Sequence, residues 1–250
     1  MRRFSSYGPL NTKSHYYAPR KELITKAFFQ LIGENPEEGG HYITVWAPRQ
    51  TGKSWLMQQI LLKLQQEARF DVVVLSLESL KDEENVNDII NTIAEEIGDR
   101  LGKPFTGVHT QKQFQKLFKK GVLDKPLVLI LDEFDALQKE AINAIVSAFR
   151  DIYNERLYEI DKPTEQKKYL LHSAALIGIR SVLGIENKKG SPFNVQRSLH
   201  IPNLTYDEVK GMFQWYEKES GQTIETEVID RLFAETRGQP GLTCWFGELL

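Results

Sequence analysis

Apolar positions along the chain follow two alternating periods. Five compact apolar-rich runs, Tyr42-Ile-Thr-Val-Trp46, Phe70 to Leu77, Leu127-Val-Leu-Ile-Leu131, Tyr169 to Ile179 and Ser198 to Ile201, read as strands, the central ones buried on both faces. Between them the spacing becomes helical. Leu23, Ile24, Ala27, Phe28, Leu31 and Ile32 predict a first helix after a polar, aromatic arm over residues 1–20, and Gly33 to Gly40 reads as a loop. Further helices are predicted from Ser54 to about Glu67, from Asn85 to about Leu101 and from Ala141 to about Tyr158, with a short amphipathic one marked by Phe114, Leu117 and Phe118. Strands alternating with helices predict an α/β core with a parallel sheet flanked by helices.

From Thr205 the strand signal stops. Thr205 and Glu208 form a capping box for a helix through Val209, Met212, Phe213 and Trp215, Gly221 ends it, and Val228 to Phe233 begins another. The expected organisation is therefore an arm and first helix over 1–40, the core over 41–203 and an all-helical lid over 204–250. Leu242 to Leu250 stops inside an amphipathic pattern, so the natural polypeptide is expected to continue.

The most specific chemistry lies at the end of the first strand. Ala47-Pro48-Arg49-Gln50-Thr51-Gly52-Lys53-Ser54 joins that strand to a helix opening at Trp55. Such a loop aims successive backbone N–H groups and a helix N-terminus at an anion, a lysine adds mobile charge, and a hydroxyl can ligate Mg²⁺. Ala47 to Trp55 are thus the candidate nucleotide-binding run of a P-loop NTPase core. Ala47 stands where the usual spelling has glycine, so φ is expected to be negative there, while Gly52 keeps the position that most needs a missing Cβ.

Leu127 to Leu131 then delivers Asp132-Glu133 at a strand's carboxyl end, where ligands of open α/β sheets collect. Asp132, with Ser54, is the candidate metal ligand, and Glu133 the candidate catalytic carboxylate that polarises water. Consecutive positions on extended chain would send the two carboxylates opposite ways. Lys53 and Arg180, after the fourth strand, are further candidate catalytic residues; Arg180 either senses the γ-phosphate or is that strand's solvated exit. Arg150 and Arg156 are weighed as trans-acting fingers against plain surface solvation, and Asp135 as a partner ligand against a cap for the next helix, the reading preferred. Arg20 either closes over a nucleotide base or starts the first helix.

Composition narrows the partners. Lys and Arg number 32 against 34 Asp and Glu, a net charge of −2, so no global basic field recruits nucleic acid or a membrane. Lys112, Lys116, Lys119, Lys120 and Lys125 are the best local basic stretch, the first four being brought broadly together by helical spacing. Cys244 is the only cysteine, which excludes an internal disulfide and suits a reducing, cytoplasmic compartment. No apolar run reaches the length of a membrane span, and the scattered histidines have no ligand spacing.

At YYAPRKELI, APRQTGKS, LILDEFD, ALIGIRSVL, SPFN and TRGQPGL the chain resembles AAA-like ATPases of the signal-transducing P-loop (STAND) class and their origin-recognition-type relatives. The resemblance implies ATP and Mg²⁺ as cofactors, a base site built from Arg20 and from Pro240 of a Gly-x-Pro turn, slow hydrolysis, and a lid whose closure controls an attached C-terminal effector or a homo-oligomer. Three readings follow: an ATP-driven conformational switch; an ATP-dependent nucleic-acid-binding protein of the initiator or transposition-helper kind; and a nucleotide-bound scaffold without turnover.

Overall fold

The structure is a computed structural model, and it describes every residue except Pro9 and 179–195. The strand-like runs become β1 (Tyr42–Trp46), β2 (Asp71–Ser76), β3 (Leu127–Asp132), β4 (Leu171–Gly178) and β5 (Gln196–His200), ordered β2-β3-β4-β1-β5 in one sheet. Every neighbouring pair is parallel. The helices are α1 (Lys21–Ile32), α2 (Lys53–Leu64), α3 (Val86–Leu101), α4 (Gln111–Leu117), α5 (Lys139–Leu157), α6 (Tyr206–Ser220), α7 (Thr226–Thr236) and α8 (Pro240–Gly247). None of the described helices is long and apolar enough to cross a membrane.

The chain forms two compact units, neither continuous in sequence. One comprises Thr25–Trp46 and Ile60–His200; the other comprises Met1–Ile24, Ala47–Gln59 and Ile201–Leu250.

In the sheet-bearing unit, Val73, Leu75, Leu129, Leu131, Ala174 and Leu176 form one core with apolar side chains of α3, α4 and α5. Val128, Ile130, Ala175, Ile177, Ile43 and Val45 are also buried, so the central strands are covered on both faces, which accounts for their unbroken apolar runs. Because the strands are parallel, β1 and β3 both end, at Trp46 and Asp132, on the carboxyl edge of the sheet. Only β4 lies between them.

The C-terminal helices have a core of their own, and the arm supplies part of it. Phe4 and Tyr16 are buried with Leu204, Val209, Met212, Phe213, Tyr216, Ile229, Leu232 and Cys244. The Phe4 ring lies 4.9 Å from both Tyr16 and Phe213. The predicted caps form: Thr205 and Glu208 close a capping box on α6, and Gly221 ends it in the left-handed region.

Two expectations about charge change. Helix α4 ends at Leu117, while Lys119 and Lys120 lie in bridges beyond it, so the four lysines do not share a helical face. Lys119 instead forms an antiparallel bridge with Tyr169, and Lys120 a parallel one with Leu123. Arg156 is 5% exposed rather than solvated, its guanidinium donating to the Tyr169 carbonyl and, at 2.7 Å, to Thr164 Oγ1, which removes it from the candidate fingers. Arg150 is exposed.

Thr164 Oγ1 lies 3.0 Å from His172 Nδ1, and His172 Nε2 lies 2.9 Å from the Ile32 carbonyl. A carbonyl only accepts, so Nε2 carries a proton. His172 is fully buried at a register shift between β3 and β4, and burial pushes its pKa down to about 3. The unfolded chain binds a proton at this residue below about pH 6.5, whereas the folded protein does not until far lower pH. Stability is therefore lost as pH falls, by about 1.4 kcal/mol per pH unit from this group. Urea unfolding at pH 7, 6 and 5 should show a shallower decline for His172→Gln than for the wild type; parallel declines would contradict a buried neutral imidazole.

Candidate functional site

The chain leaves β1 at Trp46 and enters the loop through Ala47, which is fully buried and keeps φ out of the positive range. Pro48, Arg49 and Gln50 are exposed. Two residues adopt left-handed backbone, Gln50 at φ 58° and Gly52 at φ 88°, after which α2 begins at Lys53. A Cβ on Gly52 would meet nothing within 4 Å, so the glycine serves the backbone angle and not a close approach.

Side chains brace this loop from within. Thr51 Oγ1 donates to the Pro48 carbonyl at 2.8 Å, and Lys53 Nζ donates to the Ala47 and Pro48 carbonyls at 3.0 and 2.9 Å. The first turn of α2 leaves N–H groups to be satisfied from outside the helix, and the Ser54 hydroxyl beside them is exposed. Positive dipole end, lysine and hydroxyl together fit a polyphosphate and a hard divalent cation.

The turn before α8 holds the same loop. Gly241 N donates to the Gln50 carbonyl at 3.1 Å, and Gln239 Nε2 approaches the Arg49 and Gln50 carbonyls at 3.3 and 3.5 Å. A Cβ on Gly241 would lie 2.8 Å from Gln50 Cβ, so glycine permits the approach. Pro240 occupies the first turn of α8, where its missing N–H costs nothing.

Arg20, at φ 45°, donates to the Pro202 and Asn203 carbonyls at 2.7 and 3.2 Å and lies 3.5 Å from Glu208. Its guanidinium thus ties the arm to the start of α6. The Tyr17 ring lies 5.6 Å from the ring of Trp55 and 5.7 Å from that of Trp215. Neither Tyr17 nor Gln239 is picked out by sequence reasoning. The available signals are aromatic crowding before Arg20 and the amide next to Pro240.

In the sheet-bearing unit, β3 ends at Asp132, and Glu133 does not continue it. Glu133 turns into the left-handed region at φ 56°, ψ 36°, its N–H bonded to Asp132 Oδ1 at 2.9 Å. The expected extended pair is thus replaced by a sharp corner, because the 3-10 turn Phe134–Ala136 begins at once. Ser76 Oγ, at the end of β2, donates to Glu133 Oε2 at 3.3 Å. Burial and then the carboxylates of Glu78 and Asp132 push Glu133 above the usual carboxylate range. Ser76 and Glu78 are further residues that sequence reasoning misses, since only the pairing of β2 with β3 brings them here.

Asp135 does not cap α5, whose N-cap is Gln138 with no side-chain bond. Instead it passes close over Gly178 at the end of β4, where a Cβ would lie 2.5 Å from its Oδ1. Arg180 lies outside the described residues.

Residues 37–160 match the family model described as an AAA domain. No curated protein sequence matches the chain. Among solved structures, the chain is similar to the Orc1 protein of Aeropyrum pernix in complex with DNA, at 17% identity and TM-score 0.59, covering 93% of this chain and 60% of that one. It is also similar to Drosophila ORC bound to DNA, at 14% and 0.60, covering 96% and 56%, and to Cdc6p of Pyrobaculum aerophilum, at 17% and 0.57, covering 96% and 61%. The chain therefore spans less than two thirds of each. Its fold is that of the AAA+ P-loop ATPases, with a parallel five-stranded sheet flanked by helices and helices at the C-terminus.

The turn before α8 should be more sensitive than the loop. Gly52→Ala meets only the left-handed penalty, about 1–2 kcal/mol, whereas Gly238→Ala at φ 70° also puts a Cβ 2.0 Å from the Leu204 carbonyl. Calorimetric unfolding should therefore show a clearly larger loss for Gly238→Ala; equal losses would contradict this packing.

Proposed function

We propose that the chain is an Mg²⁺-dependent ATPase of the STAND-type group that works as a nucleotide-controlled conformational switch. The reading is carried by the strand, loop and helix over 42–64, with Lys53 and Ser54 at the helix start, together with the acidic corner at the end of β3. ATP is the substrate expected from the family matched by residues 37–160.

The N–H groups from Gln50 to Trp55 would cradle the phosphates. Lys53 would exchange the Ala47 and Pro48 carbonyls, its present partners, for phosphate oxygens. Ser54 and Asp132 are the hard oxygen donors that would hold Mg²⁺, a donor set that fits an ion usually bound through one or two carboxylates plus phosphate. When bound, the ion would neutralise charge on the phosphates. Glu133 would accept the proton of the attacking water, and its raised pKa makes it a better proton acceptor than an ordinary carboxylate. Ser76 would hold that carboxylate in place.

Arg20 and Pro240 frame the proposed base site, and Arg180 is retained as a γ-phosphate sensor. The contacts of Gln239 and Gly241 with the loop support a switch, because a change at Gln50 must be felt at the start of α8. A C-terminal effector, ATP/ADP exchange, homo-oligomerisation and a cytoplasmic setting complete the proposal, with 1–40, 41–203 and 204–250 as its functional segments. The second reading, ATP-dependent binding of nucleic acid, draws on the fold shared with proteins solved on DNA. ATP-dependent, steeply salt-sensitive binding to duplex DNA would favour it.

Two substitutions separate binding from chemistry. Lys53→Ala should weaken MgATP binding by at least about a hundredfold, while Glu133→Gln should leave affinity unchanged and lower kcat by about 10²- to 10⁴-fold. Wild-type turnover in Glu133→Gln would refute the assigned chemistry.

A further inference from the structure

Trp55 is the third residue of α2, two positions after Lys53. The residue is 8% exposed, yet its buried indole Nε1–H has no hydrogen-bond acceptor among the described residues. An orphaned donor of this kind costs stability, about 1–3 kcal/mol, and indole can only donate. Large helical side chains lean toward their own helix's N-terminus, and for α2 that end is the phosphate loop. The Tyr17 ring, from the arm that also carries Arg20, lies 5.6 Å from the indole. An unsatisfied buried donor with an aromatic neighbour therefore sits in the first turn of the helix that the candidate phosphate loop opens.

We propose that Trp55 is a specificity residue for the nucleoside half of the ligand, its Nε1–H donating to an acceptor on the base or ribose beside the Tyr17 ring. The assignment rests on the nucleotide reading above and adds to it which residue reads the part of the ligand beyond the phosphates. A donor-only group selects ligands that present a lone pair there and gains nothing from bare polyphosphate.

The test uses the whole chain and Trp55→Phe, which keeps the aromatic ring and removes the donor. Titrations with ADP and with inorganic tripolyphosphate, both with Mg²⁺, give the two affinities, and thermal unfolding without ligand gives the stability. Trp55→Phe should weaken ADP binding about three- to tenfold, the worth of one neutral hydrogen bond, and leave tripolyphosphate binding unchanged. The ligand-free unfolding midpoint should stay level or rise, because an unpaired donor has gone. Ribose 5-triphosphate separates the sources: the same loss locates the acceptor on the ribose, and no loss locates it on the base.

Unchanged ADP affinity in Trp55→Phe, or an equal loss for tripolyphosphate, would overturn the assignment. So would a drop in the ligand-free midpoint together with a loss for every ligand, the signature of a structural indole. Wild type that binds neither ligand would overturn the nucleotide reading and this assignment with it, whereas wild type that binds tripolyphosphate as tightly as ADP would overturn the assignment alone.

Discussion

Parallel pairing of β3, β4 and β1 is the constraint on which the rest depends. Parallel strands bring all their carboxyl ends to one edge, so β3 ends at Asp132 and β1 ends at Trp46 on the same edge of the sheet. An antiparallel arrangement of the same strands would send one of these segments to the opposite edge. Val128, Leu129, Ile130 and Leu131 are all fully buried, so β3 is covered on both faces. A slip of one residue would exchange the two faces and misplace the acidic corner.

Backbone strain collects where function is proposed. Among the described residues the non-glycine positions with positive φ are Arg20 (45°), Gln50 (58°), Glu133 (56°) and Arg237 (50°). They fall in the arm, the phosphate loop, the acidic corner and the turn before α8. Each costs on the order of 1–2 kcal/mol, and each has bonds that hold it: Arg20 through Pro202 and Asn203, Gln50 through Gly241, Glu133 through Asp132 and Ser76, Arg237 through Phe233.

Much of the fold was legible because its signals are periodic. Unbroken apolar runs mark the strands, α3 follows the spacing of Ile89, Ile93 and Ile97, and the box of Thr205 with Glu208 starts α6 within a residue of the expected place. Features set by tertiary contact were not legible. A strand ending in Asp-Glu reads as extended, and only the turn at Phe134 bends Glu133 away. An arginine in the last turn of α5 reads as solvated, and only Thr164 and the Tyr169 carbonyl reveal it as buried. Lys119 and Lys120 follow a helical pattern that the bridge to Tyr169 overrides. In the candidate site the loop's chemistry is local and was readable, whereas Gln239 and Ser76 come from distant segments that no spacing connects.

The most direct test of the account is an equilibrium calorimetric titration of the wild-type chain with ATP in the presence and absence of Mg²⁺. The account predicts saturable binding of one nucleotide per chain that tightens with Mg²⁺. No heat of binding under either condition, with the protein folded, would contradict it.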